Sequence, residues 1–414
     1  MGFTNTAGYL TSLQEGFAHL DIYSVVAENG VHPFGYKKTV NNPWLVKLNN
    51  WCAMKRGSER KVVAFSWMAL FLLIRFFLFV WAVIKFDVFI FTSNTSFFKM
   101  RDLRILKFFK KKIIVIYTGS DTRPVYINGI YINDEYLLDT KDLLNKAMSQ
   151  VRKIRKTEMF ADYIINNPAS AQFHKNKFIN WFSIGIPMAR HISRPNDVIR
   201  EKPKIIHAPS NIKFKGTIQI REIIQRLIKS GLNIDYTELT SIPNQELLEQ
   251  LSACDLLVDQ LYSDTPLAGL SSEAALLGVP SIVGGYYAPT IRQDNFDVTL
   301  PPNEFVHPDQ FEETIRKMID DKEHRVKIGE MTKEFIQTNW CPDIVAQKFL
   351  KLINDEVPKE WYYNPSDISY IHGGGVSEER LRKVMPQIIE KHGEDSLLLD
   401  HNPKLLIAIR KLIN

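Results

Sequence analysis

Short apolar runs alternate with helical patterns along almost the whole chain, and this alternation constrains the fold more than any other feature. Strand, helix and strand in repetition is what right-handed βαβ crossovers produce, so the expected class is α/β with parallel, doubly wound sheets. In the first half the strand candidates are 22–27, 88–91, 113–117 and 163–165. Leu10, Leu13, Phe17 and Leu20 fall at helical spacing ahead of the first. Residues 1–8 look like the loop that follows a first strand, yet no strand precedes them, so either this start is misassigned or the first sheet is one strand short. The second half is cleaner, with strands at 204–208, 233–238, 256–260 and 281–283. Between them lie helices at 217–229, from a cap at Asn244, and at 271–277. Ile220, Ile223, Ile224, Leu227 and Ile228 share one face of the first of these, and Gly231 ends it.

At 414 residues the chain exceeds one ordinary core. The cluster Ile184-Gly185-Ile186-Pro187 and the polar stretch 194–204 read as a linker. They divide an N-terminal Rossmann-like domain, 1–192, from a C-terminal one, 193–345, followed by a helical extension, 346–414, with no assigned place. Lys plus Arg (52) against Asp plus Glu (46) gives +6, too evenly spread to argue for nucleic acid. Cys52, Cys254 and Cys341 lie far apart and form no CxxC pair, which argues against a disulfide framework or a zinc site and for a reducing cytoplasm. Met1 to Leu20 lacks the basic start and apolar run of a signal peptide.

One stretch breaks the pattern. From Val62 to Ile84 only Ser66 and Arg75 are not apolar, and as a helix this run would be roughly 34 Å long, enough to cross the ~30 Å hydrocarbon layer. Three readings stand: a membrane span, a helix buried in a large α/β core, or a helix sunk into a membrane face. In the last, the basic flanks (Lys55, Arg56, Arg60, Lys61, Lys85, then Lys99, Arg101, Arg104, Lys107, Lys110, Lys111 and Lys112) lie on acidic lipid. A span would put 1–61 opposite everything after Asp87. The strand that starts at once with Asp87-Val88-Phe89-Ile90-Phe91 leaves no room for a loop on another side.

In open parallel sheets, ligands bind at the carboxyl ends of strands, often against helix N-termini whose free N–H groups favour anions. Three loops of the second half fit. The first runs Pro209-Ser210-Asn211-Ile212-Lys213-Phe214-Lys215-Gly216 into a helix. The second is Thr240-Ser241-Ile242-Pro243. The third, Asp264-Thr265-Pro266-Leu267-Ala268-Gly269, feeds a helix opening with Leu270, Ser271, Ser272 and Glu273. Together they offer cations, backbone donors and one carboxylate, a seat for a diphosphate with an acceptor for a ribose diol. Singly, Lys-Gly at a helix start is a common solvated turn, and a first-turn Glu commonly serves the helix dipole. The first half adds Gly119-Ser120-Asp121-Thr122-Arg123-Pro124 after its own strand, where Asp121 and Arg123 would face the same cleft or form a local ion pair.

These residues carry a resemblance. His207-Ala208-Pro209-Ser210-Asn211 with Lys215-Gly216-Thr217, then 253–261, then Ser272-Glu273-Ala274-Ala275-Leu276-Leu277-Gly278-Val279-Pro280, resemble the donor-binding half of GT-B glycosyltransferases. The nearest branch is the retaining family 4 (group 1) that includes many bacterial capsule and lipopolysaccharide enzymes. Phe86 to Phe91 and Gly119 to Arg123 resemble its acceptor-side strands and active-site loop, so the likeness covers roughly residues 5 to 350. The resemblance implies two Rossmann-like domains facing a cleft and transfer from a nucleoside-diphosphate sugar to a saccharide or lipid-linked acceptor, with retention and without a metal or other cofactor. Carried over by position, Asp121, Lys215 and Glu273 are the catalytic candidates, with Glu273 on the ribose hydroxyls and Lys215 on the diphosphate. Ser210, Lys213, Gly216, Asp264, Thr265, Leu267, Ala268, Gly269, Leu270 and Ser271 would surround the donor; Ser241 and Ile242 would touch the base and Gly8 the sugar phosphate. Gly119, Ser120, Asp121 and Arg123 would line the acceptor cleft.

Two departures stand out. The family often has a second glutamate shortly before the first, and the matching position is Thr265, with Asp264 one place off. The arginine expected shortly before Lys-Gly is also absent, Ser210 and Asn211 standing in that region, with Lys213 as the possible substitute charge. No D-x-D, G-x-G-x-x-G, G-x-x-x-x-G-K-[ST] or H-E-x-x-H occurs in the chain, which argues against GT-A, dehydrogenase, P-loop and zincin chemistry. The rival readings are a catalytically silent sugar-nucleotide binder partnering another transferase, and a nucleotide-sugar epimerase on the same plan. The expected setting is the cytoplasmic face of the plasma membrane.

Overall fold

The computed structural model describes residues 1–3, 8–27, 42–55, 61–132, 139–188, 200 and 202–413. Most of the linker read at 194–204 lies outside them. Two sheets result. The first has seven strands in the order Tyr362–Tyr363, Phe178–Asn180, Tyr163–Asn166, Lys112–Ile116, Val88–Thr92, Gly2–Phe3 and Val26–Ala27, parallel except for the first. The second has five parallel strands in the order Glu304–Val306, Ser281–Gly284, Leu256–Gln260, Lys204–His207 and Asp235–Glu238. Both orders double back beside the first strand of their sheet, which is the doubly wound plan, and together they make two Rossmann-like units about a cleft. Apart from Thr92 and Lys112, the strands Val88–Thr92 and Lys112–Ile116 are apolar because helices cover both faces of the sheet.

The first sheet is not one strand short. Gly2–Phe3 pairs on one side with Val26–Ala27 and on the other with Ile90 and Phe91. Two residues carry too little pattern to register as a strand. The strand read at 22–27 is shorter, Val26–Ala27, with the Val25 carbonyl accepting from the Gly2 amide at 2.8 Å just ahead of it. Asn244 begins the helix Asn244–Ser252 but does not cap it; its side chain goes elsewhere, as described below.

The C-terminal stretch returns to the first sheet. Helix Pro342–Ile353 packs on helix Tyr9–His19, with Phe349 edge-on to Phe17 at 6.4 Å. Helices Glu378–His392 and Pro403–Ile413 close over Tyr126, Ile127 and Phe173 in one buried cluster. The apolar run forms helix Lys61–Lys85, with Leu78, Phe79 and Ala82 packed into the first core beside Phe89, Phe91 and Phe97. The spanning reading fails here. Gly2–Phe3 precedes the helix in sequence and Val88–Thr92 follows it, yet the two are neighbours in one sheet and must lie on one side of any bilayer.

Candidate active site in the cleft between the sheets

The switch point of the second sheet lies between Lys204–His207 and Leu256–Gln260, and the loops leaving their carboxyl ends are the lysine loop and the 261–268 loop. Fully buried His207 fixes this junction. Its Nδ1 donates to the Val258 carbonyl (2.8 Å) and its Nε2 accepts from the Thr217 hydroxyl (2.9 Å), while burial pushes its pKa down and keeps it neutral. Gly216 caps the following helix, Thr217–Lys229, at φ 70°, and a Cβ there would stand 2.7 Å from the Leu261 Cβ. The lysine loop therefore lies flat against the 261–268 loop, and the Leu261 amide donates to the Lys215 carbonyl at 3.0 Å.

Lys215 reaches the cleft in a defined pose. Its Nζ donates to Gln260 Oε1 (2.6 Å) and stands 3.8 Å from Asp259 Oδ1, while Ser271 Oγ donates to Asp259 Oδ2 (2.6 Å). Glu273, in the first turns of helix Gly269–Leu276, accepts from Asn244 Nδ2 (3.0 Å), and burial with nearby Asp259 pushes its carboxyl up to about 7. Two cavities, of about 460 and 270 Å³, share Ser210, Lys215, Gly269 and Glu273 as lining. The smaller runs toward Leu239, Ser241, Ile242 and Asn244; the larger opens to the first sheet.

The opposite wall of the larger cavity comes from the strand ends of the first sheet. It carries Tyr9, Thr92, Ile116, Tyr117, Thr118 and Asn167, with Trp181, Ile186 and Met188 from the stretch after strand Phe178–Asn180. Below them a buried ion pair joins the two units: Arg123 to Asp264. Asp264 also accepts from the Tyr370 hydroxyl (2.9 Å) and the Gly374 amide (3.1 Å), and its carbonyl accepts from Asn167 Nδ2 (3.0 Å). Gly374 lines the cavity at φ 59°, and a Cβ there would stand 2.6 Å from Asn128 Oδ1.

The expected donor residues Ser210, Lys215, Thr265, Leu267, Ala268, Gly269 and Glu273 line the larger cavity, and Ser241, Ile242 and Leu270 the smaller. Asp264 lines the larger cavity too, but both of its oxygens are engaged within the protein. Gly216 and Ser271 stand behind the wall, one as a cap and one on Asp259. Gly8 caps helix Tyr9–His19 at φ 77°, beside the lining Tyr9. Lys213 is exposed and lines neither cavity. On the first unit Gly119 and Arg123 line the cavity, whereas the Ser120 carbonyl is turned to Gln150 (3.0 Å) and Asp121 stands behind Thr118, accepting from its hydroxyl at 3.2 Å. Sequence reasoning missed Asp259, Gln260, Asn244, Trp181 and the C-terminal Tyr370 and Gly374. Asp259 and Gln260 had a signal, polar residues ending an otherwise apolar strand; Tyr370 and Gly374 had none.

No protein-family model matches the sequence, and no curated protein is similar to it in sequence. Among solved structures the chain is similar to TarM (11% identity, TM-score 0.45, covering 69% of this chain and 58% of that one). It is also similar to Anabaena Alr3699/HepE in complex with UDP and glucose (12%, 0.47, 85% and 98%) and to the glycotransferase of kitacinnamycin (10%, 0.43, 86% and 98%). The chain thus spans less than two thirds of the length of TarM.

Proposed function

We propose that the protein transfers a sugar from a nucleoside-diphosphate sugar to a hydroxyl of a saccharide or lipid-linked acceptor. The observation that carries this reading is that Lys215 and Glu273 border the same two adjoining cavities at a switch point, facing the strand ends of a second parallel sheet. The smaller cavity suits a base and ribose, with Glu273 accepting from the diol. The diphosphate would lie at Lys215 and the start of helix Gly269–Leu276, whose first N–H groups have no partner within the helix. As the nucleoside diphosphate departs, charge grows on its β-phosphate. A lysine already aimed there by Gln260 and Asp259 stabilises that charge more than it stabilises the bound donor.

The larger cavity would hold the sugar and the acceptor. Its aliphatic and aromatic wall suits an acceptor sugar ring stacked on Trp181 or Tyr9 and an apolar carrier, which favours an acceptor linked to lipid at a membrane surface. Retention by front-face attack and independence of metal complete the reading. Asp121 would act only through Thr118. The test is turnover of labelled nucleotide sugars with a membrane extract: label in lipid-extractable material supports the proposal, and none with any nucleotide sugar counts against it.

A second reading rests on Asp264 and Thr265. With Thr265 at the position of the second glutamate and Asp264 held by Arg123, Tyr370 and Gly374, the donor sugar has fewer carboxylates to meet. A silent sugar-nucleotide binder fits that arrangement, and it would bind nucleotides without turnover.

A further inference from the structure

Helix Lys61–Lys85 has two apolar faces, and the fold uses only one. Phe71, Ile74, Arg75, Leu78, Phe79 and Ala82, spaced three and four apart, are buried against the protein. Arg75, the residue that a span would leave in mid-bilayer, faces inward: its Nη2 donates to the Ser96 carbonyl (3.3 Å) and its guanidinium lies 5.0 Å from the Phe71 ring. The other face turns Phe65, Leu72, Leu73, Phe76, Phe77 and Ile84 outward, with Phe76 and Phe77 more than half exposed. Trp44 and Met54 of the adjoining helix Trp44–Lys55 and Phe108 and Phe109 near the helix Leu103–Phe108 are exposed as well. Folded soluble monomers rarely leave so large an apolar area in water.

The charge around this face has one sign. Lys47, Lys55, Lys99, Arg101, Arg104 and Lys110 are exposed. Among the described residues from Trp44 to Lys112 the acids are Asp87 and Asp102 alone. Asp102 is buried, accepting from Ser96 Oγ and from the Phe97 and Phe98 amides. Asp87 is bridged by Lys111 at 2.9 Å. Because Ser96 binds Arg75 on one side and Asp102 on the other, the basic segment 99–104 is strapped to the middle of the helix.

We propose that this face docks on a bilayer containing anionic lipid, with the helix lying in the plane of the membrane: its outward face in the acyl boundary, its inward face in the protein core, and the neighbouring lysines and arginines on lipid phosphates. A dry protein partner would need acids to meet the basic rim, whereas acidic headgroups above an acyl layer match both the charge and the apolar area. The surface shares no residue with the cleft walls, and its test is read without turnover, so it stands or falls apart from the proposed chemistry.

The test is flotation of the full chain with vesicles of phosphatidylcholine alone and of phosphatidylcholine with phosphatidylglycerol. The chain is expected to float with both and at least tenfold more strongly with the anionic mixture, an excess that added salt removes. A Phe76→Glu/Phe77→Glu variant is expected to stop floating at an unchanged melting point, and Arg101→Glu/Arg104→Glu to keep apolar binding while losing the anionic preference. Failure of the unaltered chain to float with either vesicle overturns the proposal. So does a lipid-free dimer that Phe76→Glu/Phe77→Glu splits while vesicle binding persists, since the face would then belong to a second copy. Should the glutamate variant not fold, the lipid and salt dependence of the unaltered chain decides alone.

Discussion

The two walls of the cleft are built from the same kind of sheet but differ in how much fixed charge and how many rings they present. The wall from the second unit is polar and held in place: Lys215 on Gln260 and Asp259, Glu273 on Asn244, a helix N-terminus between them. The wall from the first unit sets rings and aliphatic chains, Tyr9, Ile116, Tyr117, Trp181, Ile186 and Met188, beside the polar Thr92, Thr118 and Asn167. A site that must stabilise growing charge needs fixed donors on one side only. The other side gains by excluding water, which strengthens every electrostatic contact across the gap. Under the proposed function the ionic end of the substrate would lie on one unit and its less polar end on the other, and the Asp264–Arg123 pair joins the two units.

The contrast can be broken at four places. The largest effect is expected at the join. Both side chains of the pair are more than nine-tenths buried, so Arg123→Ala leaves Asp264 without its cation and should lower stability by about 3–5 kcal/mol, whereas Arg123→Leu/Asp264→Asn should recover much of that loss. Chemical denaturation measures both. Next, Lys215→Ala should lower kcat by about 10²–10³-fold with little change in melting point, as loss of one preorganised donor does elsewhere. On the apolar wall, Trp181→Ala should raise the acceptor KM by about tenfold, an order of magnitude in line with a lost aromatic stacking contact, and leave donor affinity unchanged. If Trp181→Ala weakened the donor instead, the division of labour between the walls would be wrong.

The smallest effect is a pH dependence. Glu273 titrates near 7 in the fold against an ordinary 4.5. Between those values the folded state keeps a proton that the unfolded chain has shed, so this group's contribution to stability falls as pH rises from about 4.5 to 7 and is constant outside that window. Nucleotide binding should show the opposite slope, strengthening toward pH 7 as the carboxylate forms, and Glu273→Gln should flatten both profiles. Melting curves and nucleotide titrations across that range test the pair together.

Much of the second unit was legible because each strand ends in a loop with turn chemistry and each helix shows one apolar face. Ile220, Ile223, Ile224 and Leu227 are buried, as their spacing required, whereas Ile228, read on the same face, is exposed. Its lysine loop and the helix start near Gly269 followed from that order. The first unit hid more. Gly2–Phe3 is too short to carry a period, and Phe178–Asn180 and Tyr362–Tyr363 depend on partners distant in sequence. For the same reason nothing local could show that Tyr370 and Gly374 return to close on Asp264. The apolar run around Arg75 was visible at once, but which face it buries depends on Ser96 and the core behind it.

The proposed function requires Lys215 to grip a diphosphate inside the cleft. Isothermal titration of the full chain and of Lys215→Ala with a nucleoside diphosphate and the matching nucleoside tests it most directly. The unaltered chain should bind the diphosphate at least tenfold more tightly than the nucleoside, and Lys215→Ala should erase most of the difference. Equal affinity of the two chains for the diphosphate would contradict it.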